Sequence, residues 1–298
     1  MPLTNMKVKD LKRLSGLLGL NVTGTKSTLL SALETLPVPA RPARILSIDM
    51  GIRNMAYCVV DAETSPHTVL RWTRTALPLF EALTSPGPVP LHAFAEASHT
   101  LITSLMGEFG PLSHILIERQ RWRSGGATSV QQWTIRVNTL EAMLHSSLYT
   151  MQRAGTWSEG SFESVDPGRV TRLWVPEREG KVTATGTKFL KKEVVRGWIR
   201  DGGVVRFGNE GVEETAELLM LGDGPRGVLK RNGEKLTGDE RKVDDIADCL
   251  LQAIAWVKWQ ENRRLMLEGG EVLEGQYDGA GFGMPEPEDV HRAIEQGE

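Results

Sequence analysis

Between Lys242 and Trp259 the chain reads KVDDIADCLLQAIAWVKW. From Cys249 onward, Leu250, Leu251, Ala253, Ile254, Ala255, Trp256 and Val257 put apolar side chains all round the axis at 100° per residue. A helix with no polar face must be sheathed by other elements, and 298 residues can supply them as one domain of about 200 residues plus a small appendage. Yet this core helix opens with three aspartates. Carboxylates at a helix N-terminus cap free N–H groups and complement the macrodipole, which accounts for Asp244 or Asp245. Asp248 lies a full turn deeper and needs a partner. On the wheel Asp244 falls about 40° to one side of Asp248 and Asp245 about 60° to the other, so all three crowd one edge. Clustered carboxylates repel, and a bound cation is one way to keep several of them ionised; capping and solvated charge are the alternatives.

Composition narrows the remaining classes. No run of about 18 apolar residues spans a bilayer, which predicts a soluble protein with no membrane partner. Cys58 and Cys249 sit inside apolar segments and read as core residues, not as a disulfide or a zinc site. Residues 266–298 carry nine acidic side chains against the single Arg292 and form a Gly-rich acidic tail, expected to be flexible. Residues 1–265 hold 34 Lys+Arg against 29 Asp+Glu, a mildly basic body suited to an anionic partner.

The stretch LPVPARPAR (Leu36–Arg44) divides the chain, since prolines this dense favour an extended linker, here 37–44. Before it, Leu11, Leu14 and Leu18 share one helical face and Leu29, Leu30 and Leu33 another, which predicts a helical hairpin over 1–36. It resembles a SAP module: Gly24, Lys26, Leu29 and Leu33 fall where that pattern wants them, and the resemblance implies DNA binding, with Lys26 as a contact. A packing or dimerisation hairpin is the alternative. After the linker, ARILSIDMGIRNMAYCVVDAE reads as strand, turn at Gly51, strand, with Asp49 ending the first. A third strand holds TVLRWTRTALP and a helix covers Leu91–Met106. SHILIERQ is a strand whose apolar run is broken by Glu118. A basic loop, RQRWRSGG, leads into a long helix from about Thr128 to Met151. A further short strand and helix, a basic helix over TGTKFLKKEVVRGWIR, a largely irregular insertion at 207–241 and the opening helix complete an α/β domain over 45–265.

Phosphodiester hydrolysis needs an activated water and stabilised phosphoryl oxygens, which two Mg²⁺ ions provide when held by carboxylates from separate elements. Asp49, Glu118, Asp248 and one of Asp244 or Asp245 form such a set. At SIDMGIRNMAY, ILIERQRWRSGG and KVDDIADCLLQA the sequence resembles the Holliday junction resolvases of the ribonuclease H superfamily, the fungal mitochondrial branch above all. That resemblance implies a five-stranded mixed sheet flanked by helices and a metal-dependent endonuclease cutting four-way DNA junctions. It implies Asp49, Glu118, Asp245 and Asp248 as catalytic residues and metal ligands, Asp244 as the rival fourth ligand, and two Mg²⁺ per site with Mn²⁺ as the alternative. It also implies a homodimer formed through the long helix and a mitochondrial location, although no transit peptide is evident. Arg119, Arg121, Arg123, Lys188, Lys191, Lys192 and Arg196 are the candidate DNA contacts, the last four also reading as an ordinary exposed helix face. Trp122 and Trp133 suit base stacking or packing equally. Two rivals follow: a non-catalytic junction-binding architectural protein, and an actin-like ATPase or sugar kinase suggested by IDMGIRN but lacking a second phosphate loop.

Overall fold

The computed structural model describes residues 3–41, 43–79, 89–121, 131–175, 183–221, 230–231, 234–235 and 243–269. After a short 3₁₀ turn at Leu3–Asn5, the predicted hairpin forms from α1 (Val8–Leu17) and α2 (Lys26–Glu34), closed over Leu11, Leu18, Leu29 and Leu33. Thr25 caps α2 by accepting from the Thr28 N–H.

The larger unit follows as β1 (Arg44–Asp49), β2 (Met55–Asp61), β3 (His67–Thr75), α3 (Leu91–Phe109), β4 (His114–Glu118), α4 (Gln132–Arg153) and β5 (Ser161–Val165). It continues with α5 (Pro167–Trp174), α6 (Ala184–Asp201), β6 (Val205–Phe207), α7 (Glu210–Met220), a two-residue ribbon β7 (Lys230–Arg231) and β8 (Glu234–Lys235), and α8 (Asp244–Leu267). The main sheet runs β5-β4-β1-β2-β3-β6; β1, β2 and β3 are antiparallel neighbours, whereas β4 is parallel to β1, β5 to β4 and β6 to β3.

The period of two along the strands splits the core. Leu46, Ile48, Val59, Ile115 and Ile117 face α3 and α4, while Ile45, Cys58, Val60, Trp72 and Leu116 face α5, α6, α7 and α8. Every residue of α8 from Cys249 to Gln260 is buried, so the apolar stretch is sheathed all round. Side chains also grip its carbonyls: the Trp72 indole donates to Ile246 O at 2.9 Å and the Trp174 indole to Leu251 O at 3.0 Å.

Two expectations change. The sheet has six strands, not five, because Val205–Phe207 pairs with the edge of β3. Three residues carry too little alternation to announce a strand, and β3 supplies the register. The segment 207–221 is also not irregular. Asn209 caps α7 by accepting from the Val212 N–H, and Val212, Ala216 and Leu219 form its buried stripe, a pattern masked by the three intervening acids Glu213, Glu214 and Glu217. The rest of the insertion, apart from the ribbon, lies outside the described residues, as do Trp122, Arg123, Val130 and the tail from 270. The long helix starts at Gln132, four residues later than its spacing suggests.

The hairpin is docked on the larger unit. Its α1 ends on carbonyls that α5 and α8 satisfy: Asn262 Nδ2 donates to Leu17 O at 2.7 Å, Arg263 Nε to Leu18 O at 2.9 Å and Arg169 Nη1 to Gly19 O at 3.1 Å. Gly19 has φ +66°, and a Cβ there would stand 2.4 Å from the Trp259 ring, so only glycine permits the approach. The linker is tied down too, with the Ala40 N–H donating to Gln260 Oε1 at 3.1 Å.

Candidate metal centre and nucleic-acid groove

β1 and β4 are parallel neighbours in a register that pairs Ile48 with Ile117, so Asp49 and Glu118, the last residues of the two strands, stand side by side. The chain turns sharply after Asp49, where a Cβ on Gly51 would meet the Asn54 carbonyl oxygen at 2.6 Å. The first turns of α8 bring Asp248 over the same strand ends. Asp49, Glu118 and Asp248 line one cleft of about 20 Å³ together with Pro167, Val170, Lys191 and Gln252.

The electrostatics are those of acids crowded without enough positive charge. Burial pushes the Asp49 carboxyl well up, reinforced by its hydrogen bond with Glu118 and by the charges of Glu118, Asp248 and Asp245. Burial likewise raises Asp248, offset in part by Lys191, whose Nζ lies 3.1 Å from Asp248 Oδ1. That buried oxygen nevertheless receives no aligned hydrogen bond. Asp245 is pushed up to about 6, first by burial and then by Asp244, against the opposing charge of Arg74. Asp244 differs: burial would raise it, but the hydrogen bond and charge of Lys188, with Nζ 2.6 Å from Oδ2, outweigh burial and hold it below the usual carboxylate range.

Asp244 is the first residue of α8 and follows Val243 at the cap position, which offers no side-chain acceptor. Its carboxylate is therefore engaged with α6 and does not serve as the helix N-cap. Among the described residues no three acid, His or Cys side chains close on one ion-sized point. Asp49 is engaged with Glu118, and Asp248 with Lys191. The donor set still fits a hard divalent cation: carboxylates from three elements share one cleft, and burial, then neighbouring acids, disfavour the charged forms of Asp49 and Asp248.

Beside the cleft opens a groove of about 820 Å³ whose lining includes Glu118, Arg119, Arg121, Arg172, Lys188 and Lys191. Arg119 is also ion-paired with Asp166, the N-cap of α5. Trp133 lines this groove and is 44% exposed. Two candidate contacts on α6 lie elsewhere: Lys192 is buried, and Arg196 is buried with Nε donating to Leu219 O at 2.9 Å and its guanidinium paired with Glu193. α6 packs against α7 and α8 on that side, so the basic run there is not a single exposed face. Lys26 is exposed on the hairpin, its Nζ donating to Thr4 O at 2.8 Å. Sequence reasoning missed Gln252, Ser47 and Arg74; the only signal for Gln252 was an amide four residues after Asp248 in an apolar run.

Acids carried to one cleft by two adjacent parallel strands and by the helix packed across them define the class: a ribonuclease H-like α/β protein of the nuclease type. The chain belongs to the family of mitochondrial resolvase Ydc2 / RNA splicing MRS1, whose model matches residues 45–266. It is 30% identical to cruciform cutting endonuclease 1, mitochondrial, of Schizosaccharomyces pombe, over 87% of this chain and 94% of that one. It is 26% identical to the protein of the same name from Saccharomyces cerevisiae, over 89% and 85%. The crystal structure of the yeast mitochondrial Holliday junction resolvase Ydc2 superposes with a TM-score of 0.61 at 27% identity, covering 87% of this chain and 95% of that one.

Proposed function

We propose that this chain is a mitochondrial endonuclease that resolves four-way DNA junctions by metal-dependent phosphodiester hydrolysis. The compartment is the one that the family and both curated relatives are named for. The observation that carries the reading is the meeting of Asp49, Glu118 and Asp248 in one cleft at the side of a basic groove. Asp49, Glu118 and Asp248 would hold Mg²⁺, or Mn²⁺ as the alternative, with Asp245 favoured over Asp244 as the fourth ligand because Asp244 is engaged by Lys188. Bound there as a pair, the ions would supply an activated water and stabilise the charge that develops on the scissile phosphate. Arg119, Arg121 and Lys188 line the groove beside the cleft and would neutralise backbone phosphates there. Lys191 neutralises Asp248 and lies at the mouth shared by cleft and groove, within reach of a seated phosphate.

The exposed Lys7, Lys9, Lys12 and Arg13 on the hairpin, with Lys26, extend the cationic surface and support an auxiliary DNA-binding role for 1–36. A four-way junction has near two-fold symmetry and must be nicked on two strands, so a C2 homodimer is the simplest geometry; exposed Ile135 and Tyr149 on α4 support that helix as its surface. The test is incubation of the full chain with labelled four-way junction, linear duplex and single strands, with and without Mg²⁺. Paired nicks in the junction alone, and only with Mg²⁺, are expected. Tight junction binding without cutting in any divalent metal would replace this reading with the architectural one.

A further inference from the structure

Gln252 stands one turn beyond Asp248, and its side chain is buried, flanked along the helix by Leu250, Leu251, Ala253 and Ile254. A buried amide has to find partners, and the three that Gln252 finds are informative. Its Nε2 lies 3.0 Å from Ser47 Oγ, 3.3 Å from Ile48 O and 3.4 Å from Leu116 O. Ser47 Oγ in turn donates to Cys249 O at 2.8 Å, which closes a buried network back onto the residue after Asp248. Ile48 immediately precedes Asp49, and Leu116 lies two residues before Glu118 on the neighbouring strand. One amide is thus bonded to both acid-bearing strands from the helix that carries the third acid, and it lines the same cleft as those three carboxylates.

We propose that Gln252 is a positioning residue of the nuclease centre, setting the spacing of β1, β4 and α8 so that Asp49, Glu118 and Asp248 reach one cation together. The inference rests on the nuclease reading above. An amide suits this place because it donates hydrogen bonds without charge: an acid would add to the repulsion, and a lysine would compete with the cation for the carboxylates. Divalent-cation geometry tolerates only small errors in ligand placement, and groups that orient ligands typically carry about 10–100-fold in metal affinity or activity.

The experiment uses the full chain with Gln252→Met, which keeps the length of the side chain and removes the donor, and with Ser47→Ala, which removes the nearest acceptor. Three quantities are read for each: the single-turnover cutting rate at saturating protein, the junction Kd, and Mn²⁺ affinity by calorimetry without DNA. For Gln252→Met the expected result is a rate roughly 10–100-fold lower and Mn²⁺ bound about tenfold more weakly, with junction Kd within about twofold. A variant that melts earlier but keeps the wild-type rate per folded molecule and the wild-type Mn²⁺ affinity would show Gln252 to be packing only. Should Gln252→Met not fold, Ser47→Ala carries the same readouts with a smaller loss in both rate and Mn²⁺ affinity, and no change in either overturns the proposal. Asp49→Asn, run in parallel, separates the two failures: if it cuts normally the nuclease centre is misplaced, whereas an inactive Asp49→Asn beside a normal Gln252→Met removes the positioning role alone.

Discussion

At the N-terminal end of α8, Asp248 meets Asp49 and Glu118 in a small cleft, Asp244 and Asp245 stand on the turn before it, and three of these five carboxyls are raised by burial and by neighbouring acids. At the C-terminal end of the same helix, Asn262 and Arg263 donate to carbonyls at the end of α1, and Trp259 packs under Gly19. Both ends are polar and enclosed, but the second sets donors on backbone carbonyls, with the buried Trp259 indole N–H left without a partner, whereas the first crowds carboxylates against one another. The C-terminal end holds the hairpin in place. The N-terminal end carries charge that the fold alone leaves incompletely compensated, the signature of a site built for something to bind.

If that contrast is right, substitutions at the two ends must fail differently. The largest effect belongs to the acids. Asp49→Asn, Glu118→Gln and Asp248→Asn should each lower junction cutting by about 10³-fold or more, several kcal/mol of lost transition-state stabilisation, while junction binding persists. Gel-shift and cleavage assays on one substrate check both halves, and near-wild-type cutting by any of the three would remove that residue from the centre. Within the acid edge, Asp245→Asn should be as inactive as Asp248→Asn, whereas Asp244→Asn should retain substantial activity because its carboxylate is engaged with Lys188. An inactive Asp244→Asn beside an active Asp245→Asn would reverse the assignment.

At the other end, deleting residues 1–36 should weaken junction binding severalfold, make it fall less steeply with salt, and spare the cutting rate at saturating protein. Because the hairpin is docked, the deletion should also lower the melting temperature of the remaining chain. Asn262→Ala isolates the docking: it should cost about 1 kcal/mol in a denaturant melt, with cutting per folded molecule unchanged. A rate loss there as large as that of an acid variant would erase the distinction between the ends.

The smallest effect is on metal-free stability as pH changes. A carboxyl whose pKa is raised on folding, as Asp245 is to about 6, binds its proton more tightly in the folded state. Its contribution is therefore fully present below the unfolded value near 3.8 and lost as pH rises through about 6. Wild-type melts in chelator should decline over that window, and Asp245→Asn should flatten the decline.

Much of this was legible in the sequence because it rests on local signals. The apolar wheel of α8, the acid ending SHILIE, and the Asp49-x-Gly51 turn each announce themselves within a few residues. What escaped depends on partners distant in sequence. Val205–Phe207 becomes a strand only because β3 offers an edge, and α7 hides its stripe of Val212, Ala216 and Leu219 among acids. Lys192 and Arg196 share a basic run with Lys188 and Lys191 but are buried, Arg196 against Leu219 of α7, and no periodicity of α6 alone says which side will be covered. The role of Gln252 required seeing β1 and β4 meet beneath α8, since an amide in an apolar helix has many uses.

The most direct test of an N-terminal end made for a cation is the melting temperature of the full chain at pH 8, with and without Mn²⁺, compared between wild type and Asp248→Asn. Wild type should melt several degrees higher with Mn²⁺ at roughly a hundred times its Kd, where binding adds about 2.7 kcal/mol. Asp248→Asn should start above the metal-free wild type, having lost one of the repelling charges, and respond little to the ion. No Mn²⁺ shift in wild type, or an equal shift in Asp248→Asn, would contradict the account.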